Sequence, residues 1–158
     1  MRESVRSVLA QECEQAVEIV LSDDCSQDTT YSIMQEVVQA YSGTHKVILR
    51  QNERNLGLAN HINLVFSMCH GDWIMCAAGD DISLPTRAQS LVDLLITHND
   101  TNIMAVQGGY SEIDPEGRLT GEFPDPDLPT SDLVKYVNTD GYVVGATMSY
   151  RKFLVNSF

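Results

Sequence analysis

The sequence predicts an α/β fold, a mostly parallel sheet flanked by helices on both faces. Compact apolar runs, AVEIVLS (16–22), KVILRQ (46–51) and DWIMCAA (72–78), alternate with stretches of helical periodicity. Strands apolar on both faces and linked by helices belong in a parallel sheet covered on each side. Two of the runs lead directly into paired aspartates, Asp23-Asp24 and Asp80-Asp81. That places acidic groups at the carboxyl edge, where open α/β sheets bind ligands.

Residues 3–11 read as a helix with Val5, Val8 and Leu9 on one face. After the strand at 16–22 comes the polar loop DDCSQDTT, in which Thr29 or Thr30 can cap the next helix. Ile33, Val37 and Tyr41 recur every four residues along that helix, and Gly43 is placed to end it. The strand at 46–51 leads through NERNLG into a helix from Leu58 to Cys69, with Ile62, Val65, Phe66 and Cys69 inward. Beyond 72–78, Pro85 suits the first turn of a helix carrying Ala88, Leu91, Leu94 and Leu95. Residues 102–113 read as one further strand, and Asp114-Pro-Glu-Gly117 as a hairpin tip. A proline-rich loop (123–129), a short helix capped by Ser131, and a last strand (141–150) complete the chain. No repeat or boundary divides residues 1–158, which read as a single domain.

The formal net charge is -12, from 22 acidic and 10 basic residues. Nucleic acid and anionic membrane surfaces would be repelled. Cys13, Cys25, Cys69 and Cys76 form no C-x-x-C pair and read as reduced thiols of a cytoplasmic protein. The N-terminus lacks the apolar core of a signal peptide, and no apolar run reaches the roughly 18 residues of a membrane span.

Adjacent carboxylates repel unless a cation or hydrogen-bond donors compensate. Hard oxygen ligands suit Mg²⁺ or Mn²⁺, which bind carboxylates and substrate phosphates together. Four aspartates gathered at one rim therefore suit a cation bridging an acidic protein to a pyrophosphate. Each pair alone has an ordinary alternative, since Asp caps helices and makes turns. His45, His70 and His98 sit at helix ends as surface or dipole partners, Trp73 reads as core or sheet edge, and Asp114 serves its turn. His61 lies in the helix after NERNLG. Asp125 and Asp127 read as solvated loop carboxylates.

Four segments, in order, resemble family 2 glycosyltransferases. SVRSVLAQ (4–11) is similar to that family's first helix, and EIVLSDDCSQDTT (18–30) to its strand followed by D-D-x-S-x-D-x-T. NERNLGLANHINLVF (52–66) is similar to its N-x-G segment, and GDWIMCAAGDDISLPTR (71–87) to its Gly-led strand, acidic motif and proline. The resemblance implies the GT-A fold, a Rossmann-like nucleotide-diphospho-sugar transferase architecture. It implies that Asp24 binds the nucleotide base and Asp23 supports that loop, that Gly57 and Asn63 line the nucleotide pocket, that Asp80 contacts the ribose, and that Asp81, with Asp80, ligates the metal. The implied activity is transfer of a sugar from a nucleotide-sugar donor, UDP by resemblance alone, to a hydroxyl of a glycan or lipid-linked acceptor. The resemblance further implies transfer of the inverting type, with Mg²⁺ or Mn²⁺ as cofactor. The family's usual setting is polysaccharide or cell-envelope glycan synthesis, in the cytoplasm or at the inner membrane face, and homo-oligomerisation is compatible with it.

Three departures stand out. Ala78 occupies the first acidic position of the family's D-x-D-D. The family's first buried strand precedes the first helix, so without it the strands at 16–22 and 72–78 are expected to pair directly or leave a gap. The family's base lies beyond a segment like GATMSYRK (145–152), so no catalytic residue is assigned within 1–158, and the acceptor part is expected to be missing. An inactive nucleotide-binding or interaction fragment is the main alternative. A phosphoryl-accepting receiver domain is a weaker one, since NIMAVQGGYS lacks its lysine.

Overall fold

A computed structural model of the protein describes residues 1–123 and 145–155. The elements are α1 (Arg2–Leu9), β1 (Glu18–Asp23), α2 (Thr30–Gln39), β2 (Lys46–Gln51), α3 (Leu58–Met68), β3 (Trp73–Met75), α4 (Arg87–His98), β4 (Ala105–Gln107), β5 (Tyr110–Ile113), β6 (Leu119–Phe123), β7 (Met148–Arg151) and α5 (Lys152–Val155), with a 3₁₀ turn at Gly145–Thr147 before β7.

β1 and β2 pair in parallel, from Glu18 opposite Lys46 to Asp23 opposite Gln51. Val5 and Leu9 of α1, Ile19 of β1, and Met34 and Val37 of α2 form one buried cluster, with Leu21, Val47 and Leu49 packed around it. The period-two register of β1 sends Ile19 and Leu21 to the face covered by α1 and α2. α3 also packs against β1.

The second sheet has the order β3-β7-β4, with β7 antiparallel to both neighbours. β3 and β4 therefore run the same way, as expected of strands in a parallel layer, and β7 is reversed between them. Phe66 of α3 meets Tyr150 of β7 with ring centroids 6.1 Å apart, and the Arg151 guanidinium lies 5.4 Å over the Trp73 ring. β1 and β3 form no ladder with each other among the described residues.

Several expected boundaries shift. The run at 102–113 is two strands broken at Gly108-Gly109: the Gly108 amide makes a last bond to the Thr147 carbonyl (3.1 Å) in the β4-β7 register, and from Tyr110 the chain pairs with β6 instead. β5 and β6 form the expected hairpin, its tip closed by Asp114 Oδ1 accepting from the amides of Glu116 and Arg118. Pro85 lies before the N-cap residue Thr86, outside the first helical turn, and its carbonyl accepts from the Glu12 amide (2.8 Å). Thr29 caps α2 by position only, while Asp28 Oδ1 takes the Thr30 amide. The proline-rich loop after Phe123, the Ser131 helix and residues 141–144 of the last strand lie outside the described residues. No helix among those described is long and apolar enough to cross a membrane.

Candidate functional site

Asp23 ends β1 and is 4% exposed. Its Oδ2 accepts from the Ser26 amide and from Gln51 Nε2, both at 2.9 Å, and its Oδ1 accepts from the Ser26 hydroxyl. Burial alone would raise the Asp23 carboxyl; the Ser26 hydroxyl, the Gln51 amide and the Ser26 amide outweigh it and hold the group below its usual range. Asp23 is thus consumed in shaping the loop.

Asp24 faces the start of α3. Its Oδ1 accepts from Asn52 Nδ2 (2.6 Å) and the Leu56 amide (2.9 Å), and its Oδ2 from the Gly57 amide (3.0 Å). Gly57 is the N-cap residue of α3 at φ 75°, a conformation that suits glycine, and this backbone aims both amides at one carboxylate. The Leu56 amide, against a smaller opposing effect of burial, leads in lowering the Asp24 carboxyl, helped by Asn52, the nearby His61 and the Gly57 amide. A carboxylate has about four acceptor positions. Among the described residues three are filled, and the open one is on Oδ2.

Asn52 and His61 complete this network. Asn52 is 5% exposed, and its Nδ2 also lies 3.0 Å from His61 Nδ1. His61 Nδ1 is 3.6 Å from Asp24 Oδ1.

The second acidic pair follows β3 on an exposed loop that α1 grips along one side. Ser4 Oγ donates to the Ala78 carbonyl (2.9 Å), and Ser7 Oγ accepts from the Ser83 amide (3.0 Å). Gln11 Nε2 donates to the Leu84 carbonyl (2.8 Å), and its Oε1 accepts from the Ala88 amide (3.0 Å) in the first turn of α4. Gly79 packs so close to Met1 that a Cβ there would meet Met1 Cε at 2.8 Å. From α4, Arg87 reaches the Ala146 carbonyl (2.8 Å) and Ser83 Oγ (3.3 Å), tying the loop to the segment before β7. Burial lowers the Arg87 pKa from its ordinary value, and nearby Cys76 and Asp81 oppose that shift.

The structure thus treats the expected site residues differently. Asp24 and Gly57 share one network. Asp80 and Asp81 are exposed, with no hydrogen bond or ion pair among the described residues. Asn63 is exposed on α3 and takes no part in the Asp24 network. Among the described residues no three His, Cys, Asp or Glu side chains group closely enough to hold a metal. Donors already occupy Asp23 and most of Asp24, while Asp80 and Asp81 make no hydrogen bond or ion pair among the described residues.

Asn52, Arg87 and the Ser4–Ser7–Gln11 stripe belong to this region without being among the expected site residues. The stripe had a signal, since spacings of three and four put small polar groups on one helical face. Nothing local marked Asn52, whose partners lie 28 positions earlier and 9 later in the chain.

The profile of glycosyl transferase family 2 matches residues 1–157. The chain belongs to glycosyl transferase family 2. It is 32% identical over 132 residues to a putative glycosyltransferase, EpsE, of Bacillus subtilis (strain 168), which covers 81% of this chain and 46% of that protein. It is 24% identical over 148 residues to the uncharacterized glycosyltransferase MJ1057 of Methanocaldococcus jannaschii, covering 94% of this chain and 49% of the relative. The chain therefore spans about half the length of these curated relatives. The crystal structure of S. aureus TarS superposes with a TM-score of 0.63 at 19% identity, over 98% of this chain and 26% of that one, a likeness of fold. As a family 2 member with the expected GT-A type of α/β fold, the chain is a glycosyltransferase domain.

Proposed function

We propose that this chain binds the donor of a metal-dependent glycosyl transfer. The donor is a nucleoside-diphosphate sugar with UDP as its nucleotide, and the acceptor is a hydroxyl of a glycan or lipid-linked substrate. The observation that carries this reading is the Asp24 carboxylate, fixed by three donors at the carboxyl edge of a parallel strand pair, with one acceptor position open for a ligand N–H. Asp23 holds the loop, Gly57 supplies an amide and Asn63 borders the pocket.

The donor set of Asp80 and Asp81 fits a hard divalent cation. Both are exposed carboxylates with no hydrogen bond or ion pair among the described residues, and two such groups plus diphosphate oxygens and water suit Mg²⁺ or Mn²⁺. Asp81 would hold the ion, and Asp80 would sit between it and the ribose. Bound there, the ion would stabilise negative charge developing on the leaving diphosphate. This chain's own contribution is placement. α1 fixes the backbone on both sides of the acidic pair, so the carboxylates need not be ordered when the donor arrives. Inversion requires a base on the opposite face of the sugar; no residue of 1–158 is assigned that role. A setting in polysaccharide or envelope-glycan synthesis, in the cytoplasm or at the inner membrane face, completes the proposal.

The test is turnover by the full-length protein against a panel of nucleotide sugars, with and without EDTA. Release of UDP that depends on the metal is expected. Turnover with another nucleotide, or turnover untouched by EDTA, contradicts the assignment. Nucleotide binding without any turnover favours an inactive binding module.

A further inference from the structure

Asn52 follows β2 and ties it to β1 and α3. Its backbone amide donates to the Asp23 carbonyl (2.8 Å), and its Nδ2 lies 2.6 Å from Asp24 Oδ1 and 3.0 Å from His61 Nδ1. Reversing the side-chain amide would set its oxygen against the Asp24 carboxylate, so the nitrogen faces it. An amide nitrogen carries two hydrogens and only donates, and here each has an acceptor. The cost falls on Asn52 Oδ1, which is buried with no partner among the described residues. A side chain that is 5% exposed and leaves its own carbonyl unmet is placed by what its nitrogen does for its neighbours.

That nitrogen makes the two oxygens of Asp24 unequal. The backbone alone gives one donor to each, the Leu56 amide to Oδ1 and the Gly57 amide to Oδ2. With those bonds only, each oxygen would keep one acceptor position. Asn52 fills the position on Oδ1, so among the described residues a single one is left, on Oδ2. Resting on the nucleotide reading, we infer that Asn52 is a specificity-determining residue, restricting Asp24 to a base edge with one N–H, such as the imide of uracil. Guanine presents two neighbouring N–H groups and needs an acceptor on each oxygen of a carboxylate. Its second N–H would go unpaired against Asp24, and an unmet donor is costly enough to discriminate.

The test compares UDP and GDP affinity of the whole chain with Mg²⁺ by calorimetry. The parent should favour UDP by at least about tenfold, the equivalent of one hydrogen bond. Asn52→Leu keeps the bulk and frees the second position, so the ratio of the two affinities should narrow about tenfold. The variant loses the bonds of Nδ2 but also the unmet carbonyl, so its urea midpoint should stay close to the parent's. An unchanged ratio in folded Asn52→Leu overturns the inference, and with a lowered midpoint it makes Asn52 a structural residue only. A parent that binds both nucleotides equally overturns it too. If the variant unfolds, the parent decides by NMR: both Nδ2 protons of Asn52 should exchange slowly with and without UDP, and their release by UDP overturns the inference. A parent that binds neither nucleotide, or GDP alone, removes the nucleotide reading with it.

Discussion

Gln11→Met tests how α1 holds the acidic loop. Gln11 is 8% exposed, and its amide makes three hydrogen bonds, to the Ser7 carbonyl (3.1 Å), the Leu84 carbonyl (2.8 Å) and the Ala88 amide (3.0 Å). The Ala88 amide belongs to the first turn of α4, whose own cap residue Thr86 makes no side-chain cap bond, so Gln11 satisfies that turn from outside. Methionine has similar bulk and removes all three bonds. At about 1 kcal/mol net for each, the expected loss is about 3 kcal/mol. For a chain of this size each kcal/mol lowers Tm by about 2–4 °C, giving a fall of about 6–12 °C. Urea unfolding should show a lower midpoint with an unchanged slope. A loss below about 1 kcal/mol would refute the reasoning, because the loop would then be held by something other than this side chain.

Further outcomes follow from the same structure. Gly57→Ala places a Cβ at φ 75° and disturbs the amide that binds Asp24 Oδ2, so stability should fall by about 1 kcal/mol and UDP affinity with it, read by urea unfolding and calorimetry. Asp81→Asn should abolish the metal dependence of UDP binding while leaving the unfolding midpoint unchanged. Glu18 accepts from Lys46 Nζ (2.6 Å), which is foremost in holding its carboxyl at about 2 against an ordinary 4.5, overcoming the upward push of burial with help from His70. A depressed carboxyl stabilises the fold above its unfolded pKa, so this contribution should fade as pH falls from 4.5 towards 2, and Glu18→Gln should flatten that part of the stability profile.

Much of the fold was legible because it rests on short-range pattern. β2 matches its expected range, α3 begins at the expected Leu58, and β1 runs Glu18–Asp23 where 16–22 was expected, its rungs spanning Glu18-Lys46 to Asp23-Gln51. The run at 102–113 failed because an apolar stretch does not announce where it changes partner, and this one pairs with β7 through β4 and with β6 through β5. At the site, the acidic pairs were visible as sequence, but their unequal fates were not. Asp23 and Asp24 differ only in which donors surround them, and those donors come from Ser26, Gln51, Asn52 and the start of α3. Tertiary hydrogen bonding separates a fully engaged loop clamp from a carboxylate with an acceptor position to spare, and adjacent identical residues carry no trace of it.

The central claim is that the Asp24 network and the Asp80-Asp81 loop serve one nucleotide with its cation. Paramagnetic line broadening by Mn²⁺ tests it on this chain directly. With UDP present, the amides of Leu56, Gly57, Asp80 and Asp81 should broaden together, and EDTA should restore them. Broadening confined to one loop, or the same pattern without UDP, would contradict it.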